Sequence, residues 1–107
     1  AEAGGIESLV ALVRKGTAWE REVAAEVLET FPRNKQEAIA EAGGIMPLVV
    51  LVRHGTTAGQ KEQAAAALRN LARYNSNNQV AIAEAGGIVP LVALVGEGTA
   101  EQKRIAA

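Results

Sequence analysis

The chain of 107 residues contains no cysteine and no aspartate, a single histidine, and very few aromatic residues. Without cysteine it has neither a disulfide framework nor a thiolate nucleophile, and one histidine cannot complete a Cys/His zinc site. His54 is therefore interpreted as a surface residue at a helix end rather than a catalytic base. The sequence predicts no metal, no cofactor and no catalytic constellation, and we expect the protein not to be an enzyme.

Long apolar runs and an excess of one charge are also absent. The longest nearly continuous apolar stretch runs from Ile45 to Val52 and contains Pro47, whereas a membrane-spanning helix needs about 20 apolar residues. The 11 basic residues are scattered among 12 glutamates and have no aromatic neighbours, which argues against nucleic-acid binding. We therefore expect a soluble chain that binds neither membrane nor nucleic acid, and an intracellular compartment is favoured only by these absences.

The feature that the sequence does contain is an internal repeat. The string Ala-Glu-Ala-Gly-Gly-Ile begins at Ala1, Ala40 and Ala83, and each copy is followed by Leu-Val-x-Leu-Val and then Gly-Thr. A period of about 40 residues is typical of helical solenoids or propeller blades, and the abundance of Ala, Glu, Leu, Gln, Lys and Arg favours helices. We predict one domain, 1–107, with repeat 1 at about 1–39, repeat 2 at about 40–82 and a partial repeat 3 at about 83–107.

Each repeat is predicted to contain three helices. The first is short, at about 35–42 and 78–85, with Asn34 or Asn77 as the N-cap and the Gly-Gly pair as the stop. The second carries a proline in its first turn, where a helix has no backbone hydrogen bond to lose. Its predicted buried stripe consists of Ile45, Leu48, Val49, Leu51 and Val52.

The third helix is predicted to open with a capping box, in which a threonine and a Glu or Gln three residues later satisfy free N–H groups. The pattern occurs as Thr17-x-x-Glu20, Thr57-x-x-Gln60 and Thr99-x-x-Gln102. Small and large apolar residues then alternate at helical spacing and predict a closely packed buried face. The aligned residues are Ala24, Ala25, Leu28 and Phe31 in repeat 1 and Ala64, Ala65, Leu68 and Leu71 in repeat 2.

These motifs together resemble armadillo repeats over essentially the whole chain. The resemblance rests on the short helix ending in Glu-Ala-Gly-Gly, the second helix beginning Ile-x-Pro-Leu-Val, and Ala-Leu-Arg-Asn-Leu-Ala at 67–72. It implies an all-α fold, a right-handed α-α superhelix built as an armadillo-type solenoid of three-helix repeats. Since the chain starts in the tail of a first helix (1–3) and stops early in a third, we expect about two and a half repeats of a longer array, natural or engineered.

The resemblance implies a non-catalytic scaffold for protein–protein interaction. In such repeats the third helices line a concave groove, where an asparagine bonds to the backbone of an extended peptide. The matching position is Asn70, replaced in repeat 1 by Thr30, although the Asn70 amide could equally bond to a neighbouring loop. The other groove candidates are Glu22, Glu26, Glu62, Ala66 and Arg104. The glutamates predict a preference for Lys/Arg-rich peptides, bound weakly by so few repeats.

Self-association is the alternative function, because uncapped solenoid ends expose apolar surface that another copy could cover. The end stripes predicted to be exposed are Ile6, Leu9, Val10 and Val13 on one side and Leu91, Leu94, Val95 and Ile105 on the other. A homo-oligomer formed through these ends is therefore expected. Trp19 is interpreted as a half-buried cover over the first end.

Overall fold

A computed structural model describes residues 2–73 and 75–97, with side chains described for 5–73 and 75–93. This part of the chain forms seven α-helices and no strand, so the prediction of an all-α fold is confirmed. None of these helices is both long and apolar enough to cross a membrane. The helices are α1 (Glu2–Lys15), α2 (Ala18–Thr30), α3 (Arg33–Glu41), α4 (Ile45–His54), α5 (Ala58–Ala72), α6 (Ser76–Glu84) and α7 (Ile88–Glu97).

The corner between the first and second helices is set by the Gly-Gly pair. Gly43 adopts φ 81°, a left-handed conformation that glycine reaches without a Cβ clash. The next amide, on Gly44, donates to the Ile39 carbonyl over 3.0 Å, and the corresponding bond from Gly87 to Ile82 is 2.9 Å. The two corners therefore close α3 and α6 in the same way, as the repeated sequence predicts.

The second glycine of these two pairs also lies where one repeat packs on the preceding one. A Cβ on Gly44 would lie 3.4 Å from Val10 Cγ2, and a Cβ on Gly87 would lie 3.2 Å from Val49 Cγ2. Val10 and Val49 occupy equivalent places in α1 and α4. The absence of a side chain at the corner thus allows each second-helix valine to pack directly on the next backbone.

The predicted cores of the second and third helices are confirmed. The stripe Ile45, Leu48, Val49, Leu51 and Val52 is buried in α4, and α4 packs mainly on α5. On the third helices, α2 packs on α5 through nearly inaccessible alanines and leucines, which permit close approach of the two backbones. Phe31 and Ala65 are only partly buried at the edge of this core.

The short helices begin earlier than predicted. The N-cap of α3 is Pro32 rather than Asn34, and that of α6 is Asn75 rather than Asn77. Asn75 accepts a 2.9 Å hydrogen bond from the Asn78 amide, whereas Pro32 has no capping side chain. The reason is local: Asn75 reaches the free amide three residues ahead of it, and Pro32 has the extended conformation of an N-cap, φ −66° and ψ 163°.

The first Gly-Gly pair does not form a corner. Helix α1 runs without a break from Glu2 to Lys15 through Gly4 and Gly5, whereas a break after residue 3 was expected. Three residues cannot form a helix of their own, but as part of α1 they contribute helical hydrogen bonds. Glycine accepts either conformation, and the surroundings decide between them.

Candidate functional site

The groove candidates lie on the two third helices that the structure describes, α2 and α5, which pack against each other. Glu26 and Thr30 are exposed, while Glu62 and Ala66 are half-buried. Arg104 lies outside the described residues. The described groove candidates thus lie on two helices that pack together.

Asn70 does not present a free amide. Its Nδ2 donates a 2.7 Å hydrogen bond to the carbonyl oxygen of Glu29, in the last turn of α2. That carbonyl lacks a helical partner because the last four C=O groups of a helix have no amide ahead of them. Of the two roles predicted for Asn70, the contact with a neighbouring segment is thus made, through one of its two N–H groups.

Glu22 is also placed by contact between the repeats. Its carboxylate covers Gly59, where a Cβ would lie 2.5 Å from Glu22 Oε1. Gly59 is in the first turn of α5, whose free N–H groups form a partial positive charge that favours an anion. Glu22 of α2 thus lies against the first turn of α5.

Side-chain donors satisfy most of the free carbonyl groups at the C-terminal end of α2. Thr30 Oγ1 donates 2.7 Å to the Val27 carbonyl, so this hydroxyl is already used as a donor. Gln36 Nε2 donates to the carbonyls of Leu28, at 3.2 Å, and Phe31, at 2.8 Å. Together with the Asn70 bond, these contacts give the carbonyls of Val27, Leu28, Glu29 and Phe31 side-chain donors.

Sequence reasoning missed the amides that close the third helices. Gln36 and Asn78 are buried in short helices, and Asn78 Nδ2 donates 2.8 Å to the Leu71 carbonyl at the end of α5. Phe31 and Leu71 occupy equivalent positions in the two repeats. The donor to the Phe31 carbonyl, Gln36, lies five positions later in the sequence, and the donor to the Leu71 carbonyl, Asn78, lies seven positions later. Because the connecting loops differ in length, no fixed spacing in the sequence reveals the pair.

The residues predicted to form the first exposed end are placed differently. Ile6, Val10 and Val13 are buried in the core and Leu9 is partly buried, so the prediction that this stripe is exposed is wrong. The stripe faces inward because α1 packs on α2 and on the second repeat through α3 and α4. Leu12 is more than a third exposed on another face of α1.

Trp19 is 72% exposed rather than half-buried, so it does not cover the end of the solenoid. It occupies the position equivalent to Gly59, the residue by which α5 approaches α2. Within the described side chains no helix precedes α2 on that face, which leaves the indole ring unpacked.

At the other end the described apolar surface lies on α7. Leu91 is half-buried, but Ile88, Val89 and Val92 are exposed, with Val89 at 77% and Val92 at 64%. The side chains of Leu94 and Val95, and all of Ile105, lie outside the described residues. Within the described side chains α7 thus exposes apolar residues that the sequence analysis did not name, and the prediction for Leu94, Val95 and Ile105 stays a prediction.

The described residues offer no group of three metal-ligating side chains. His54 is exposed at the last position of α4, as predicted from the sequence. What the geometry of the described residues defines is an all-α stack in which α3, α4 and α5 form one complete helix triplet between parts of two others, the arrangement of an α-solenoid.

Comparison with known proteins agrees with this class. Residues 31–73, which hold α3, α4 and α5, match the family described as Armadillo/beta-catenin-like repeat. Armadillo repeats generally mediate protein interaction and are generally not enzymes. No curated protein matches the chain.

The chain also resembles a solved structure, the crystal structure of an engineered protein from the Northeast Structural Genomics Consortium. The two are 31% identical and superpose with a TM-score of 0.84 over 95% of this chain. The chain spans 42% of the length of that protein. The similarity supports an all-α solenoid of stacked repeats.

Proposed function

We propose that the chain is a non-catalytic scaffold whose α2–α5 face binds extended, Lys/Arg-containing peptide segments. The observation that supports the proposal is the packing of α2 on α5, with Glu22 of α2 against Gly59 of α5 and with Glu26 and Glu62 on the same two helices. The armadillo match supports a protein or peptide partner. Neither a nucleic acid nor a cofactor is part of the proposal.

The side chains of the α2–α5 face suit both the backbone of a peptide and its lysine or arginine side chains. Asn70 retains one N–H and its Oδ1 beyond the bond to Glu29, so it can donate and accept at one peptide unit. The carboxylates at one end would each contribute at most about 1 kcal/mol to a lysine or arginine side chain while exposed. Because only two third helices contribute, the expected affinity is weak.

The test separates charge from packing. A double variant, Glu26→Lys with Glu62→Lys, should reduce binding of a labelled arginine-rich decapeptide by at least about tenfold, since two attractive charges become repulsive. The control, Glu37→Lys with Glu84→Lys, makes the same net change at exposed positions on α3 and α6. Equal affinity of both double variants, measured by fluorescence anisotropy, would reject the groove.

Self-association through the α7 end is the second candidate, supported by the Val–Gly contacts between repeats. Val92 is equivalent to Val10 and Val49, yet it is exposed, and a Cβ on Gly5 would meet nothing within 4 Å. The α1 end of a second copy, where Gly5 leaves space beside the helix, is the partner that we propose for Val92.

Sedimentation velocity tests this stacking. The average mass should rise with protein concentration for the native chain and remain that of a monomer for Val92→Glu, because a buried unpaired carboxylate opposes association. Ala93→Glu is the control, since it adds the same charge to the next, exposed position on a different side of α7. A monomer at every concentration, or equal dissociation by both variants, would reject stacking at this end.

A further inference from the structure

A groove lies between the second helices of repeats 1 and 2, away from the α2–α5 face. Its volume is about 230 Å³, and it runs between α1 and α4. The buried residues Val13, Pro47 and Leu51 form its floor. Met46 and Val50 stand at its edge with about half of each side chain exposed.

Three cationic or basic side chains line the same groove: Arg14, Arg21 and His54. Arg21 Nη2 donates 3.3 Å to the Arg14 carbonyl, which holds the guanidinium group beside the floor. Its Nε is buried and has no hydrogen-bond partner. No glutamate lines the groove, and within the described residues none pairs with Arg14, Arg21 or His54.

Because Arg21 Nε is shielded from solvent, a ligand in the groove would meet the terminal N–H groups of Arg21 and Arg14, and a carboxylate is the acceptor that matches guanidinium best. We propose that this α1–α4 groove binds a protein segment in which a glutamate or aspartate stands beside a large apolar side chain. The carboxylate would pair with Arg14 and Arg21, with His54 nearby, while the apolar side chain would cover Pro47 and Leu51.

The shape and charge of the groove favour a peptide over other anions. At about 230 Å³ it is smaller than the pockets that enclose whole small molecules and is suited to one or two side chains. More than half of the residues named around the groove are apolar. Such a lining suits a carboxylate with an aliphatic or aromatic side chain beside it better than it suits a chain of phosphates. The chain as a whole has a net charge of −1 and so offers a polyanion no general attraction.

The chain supplies a matched control in the next layer. Arg53 is the position in α4 that corresponds to Arg14 in α1, and it lies over Gly86 rather than in this groove. The residue of α7 that corresponds to His54 in the repeated sequence is Glu97. Arg53→Gln therefore removes an equivalent arginine without altering the α1–α4 groove.

The experiment measures binding of a labelled octapeptide that contains two glutamates followed by leucine and phenylalanine. Two further peptides replace the glutamates by glutamine or the two apolar residues by serine. Arg14→Gln and Arg21→Gln should each weaken binding of the first peptide by about fivefold, whereas Arg53→Gln should change it less than twofold. The native chain should bind both altered peptides at least about fivefold more weakly, because each lacks one of the two contacts.

Arg14→Glu is a second variant that should fold, because the Arg14 side chain makes no hydrogen bond in the described structure. The far-ultraviolet circular dichroism spectrum of the variant checks that it is folded. This variant should prefer a peptide with lysines in place of the glutamates. The proposal is overturned if the glutamine peptide binds as well as the glutamate peptide, if Arg53→Gln weakens binding equally, or if the native chain binds none of the peptides. Displacement of the peptide by a single-stranded oligonucleotide at equal concentration would likewise overturn it, in favour of a phosphate site.

Discussion

Asn70 of α5 and Glu29 of α2 are joined by a 2.7 Å hydrogen bond from the Asn70 Nδ2 to the Glu29 carbonyl oxygen. The bond spans 41 residues of sequence and connects the third helices of successive repeats. The position that the armadillo resemblance assigns to peptide binding is therefore also a structural link between repeats. Its loss should be visible in stability, independently of any peptide.

Asn70→Ala is expected to lower the free energy of unfolding by about 1–2 kcal/mol, because it removes the hydrogen bond and leaves the Glu29 carbonyl without its partner. Urea denaturation followed by circular dichroism measures the change. Gln63→Ala on the same helix is the control, since Gln63 is half-buried and makes no side-chain hydrogen bond in the described structure. Equal destabilisation by the two substitutions would show that the Asn70 bond contributes nothing specific.

The sequence predicts most of the fold because the repeat supplies two or three copies of each helix signal. The buried stripe of α4 and the alanine–leucine face of α2 and α5 follow from helical spacing and match the structure. The sequence does not reveal which apolar stripe packs against a neighbouring helix. Val10 and Val92 occupy equivalent positions in the repeat, yet Val10 is buried and Val92 is exposed. Their difference arises from stacking, which is a property of the three-dimensional arrangement.

The candidate site is predicted less completely for the same reason. Glu26 and Glu62 can be placed on the third helices by counting turns, but the contact of Glu22 with Gly59 depends on how closely α2 and α5 approach. The groove between α1 and α4 combines residues from two repeats, and no sequence motif marks it. His54, which looks unimportant in the sequence, lies beside two arginines only after folding.

The equivalent glycines Gly44 and Gly5 should respond to alanine in opposite directions. A Cβ on Gly44 would lie 2.8 Å from Ile39 Cγ2 and 2.9 Å from the Ile39 carbonyl, so Gly44→Ala should be destabilising by about 1–3 kcal/mol. Gly5 is helical and its Cβ would meet nothing within 4 Å. Gly5→Ala should therefore stabilise the chain by about 0.5–1 kcal/mol through the higher helix propensity of alanine.

Thermal denaturation of the two alanine variants and of the native chain shows whether each substitution raises or lowers the stability. Destabilisation by Gly5→Ala would mean that the first Gly-Gly pair forms a corner like that at Gly43 and Gly44, against the continuous α1. Stabilisation by Gly44→Ala would contradict the close approach of the corner to Ile39.

The two third-helix caps are predicted to differ in their response to charge. In the first, Thr17 and Glu20 form a complete capping box, with bonds of 2.9 and 3.2 Å. In the second, Thr57 accepts from the Gln60 amide, but the Gln60 side chain is buried and donates to Thr56 and Thr57 hydroxyls instead. Gln60→Glu would replace this donor by a buried carboxylate, so we expect it to destabilise the chain by at least about 2 kcal/mol.

Glu20→Gln is the matched change in the opposite direction, and it should cost less than about 1 kcal/mol because glutamine can also complete a capping box. Guanidinium chloride denaturation at neutral pH compares the two. Similar costs for both variants would contradict the burial and donor role of Gln60.

The buried amide of Gln36 should matter more than the exposed amide of Gln79, although both close the end of a third helix. Gln36 Nε2 is the side-chain donor to the Phe31 carbonyl, and Gln79 Nε2 donates 2.9 Å to the Ala72 carbonyl at the surface. Gln36→Leu leaves the Phe31 carbonyl without that donor and should cost about 1–3 kcal/mol, whereas water can replace the amide after Gln79→Leu, which should cost less than about 0.5 kcal/mol. Hydrogen exchange of the last-turn amides of α2 gives a local readout, and faster exchange there in Gln36→Leu but not in Gln79→Leu is the expected result. If the two leucine variants unfold at the same urea concentration, closure of α2 by Gln36 does not stabilise the stack of repeats.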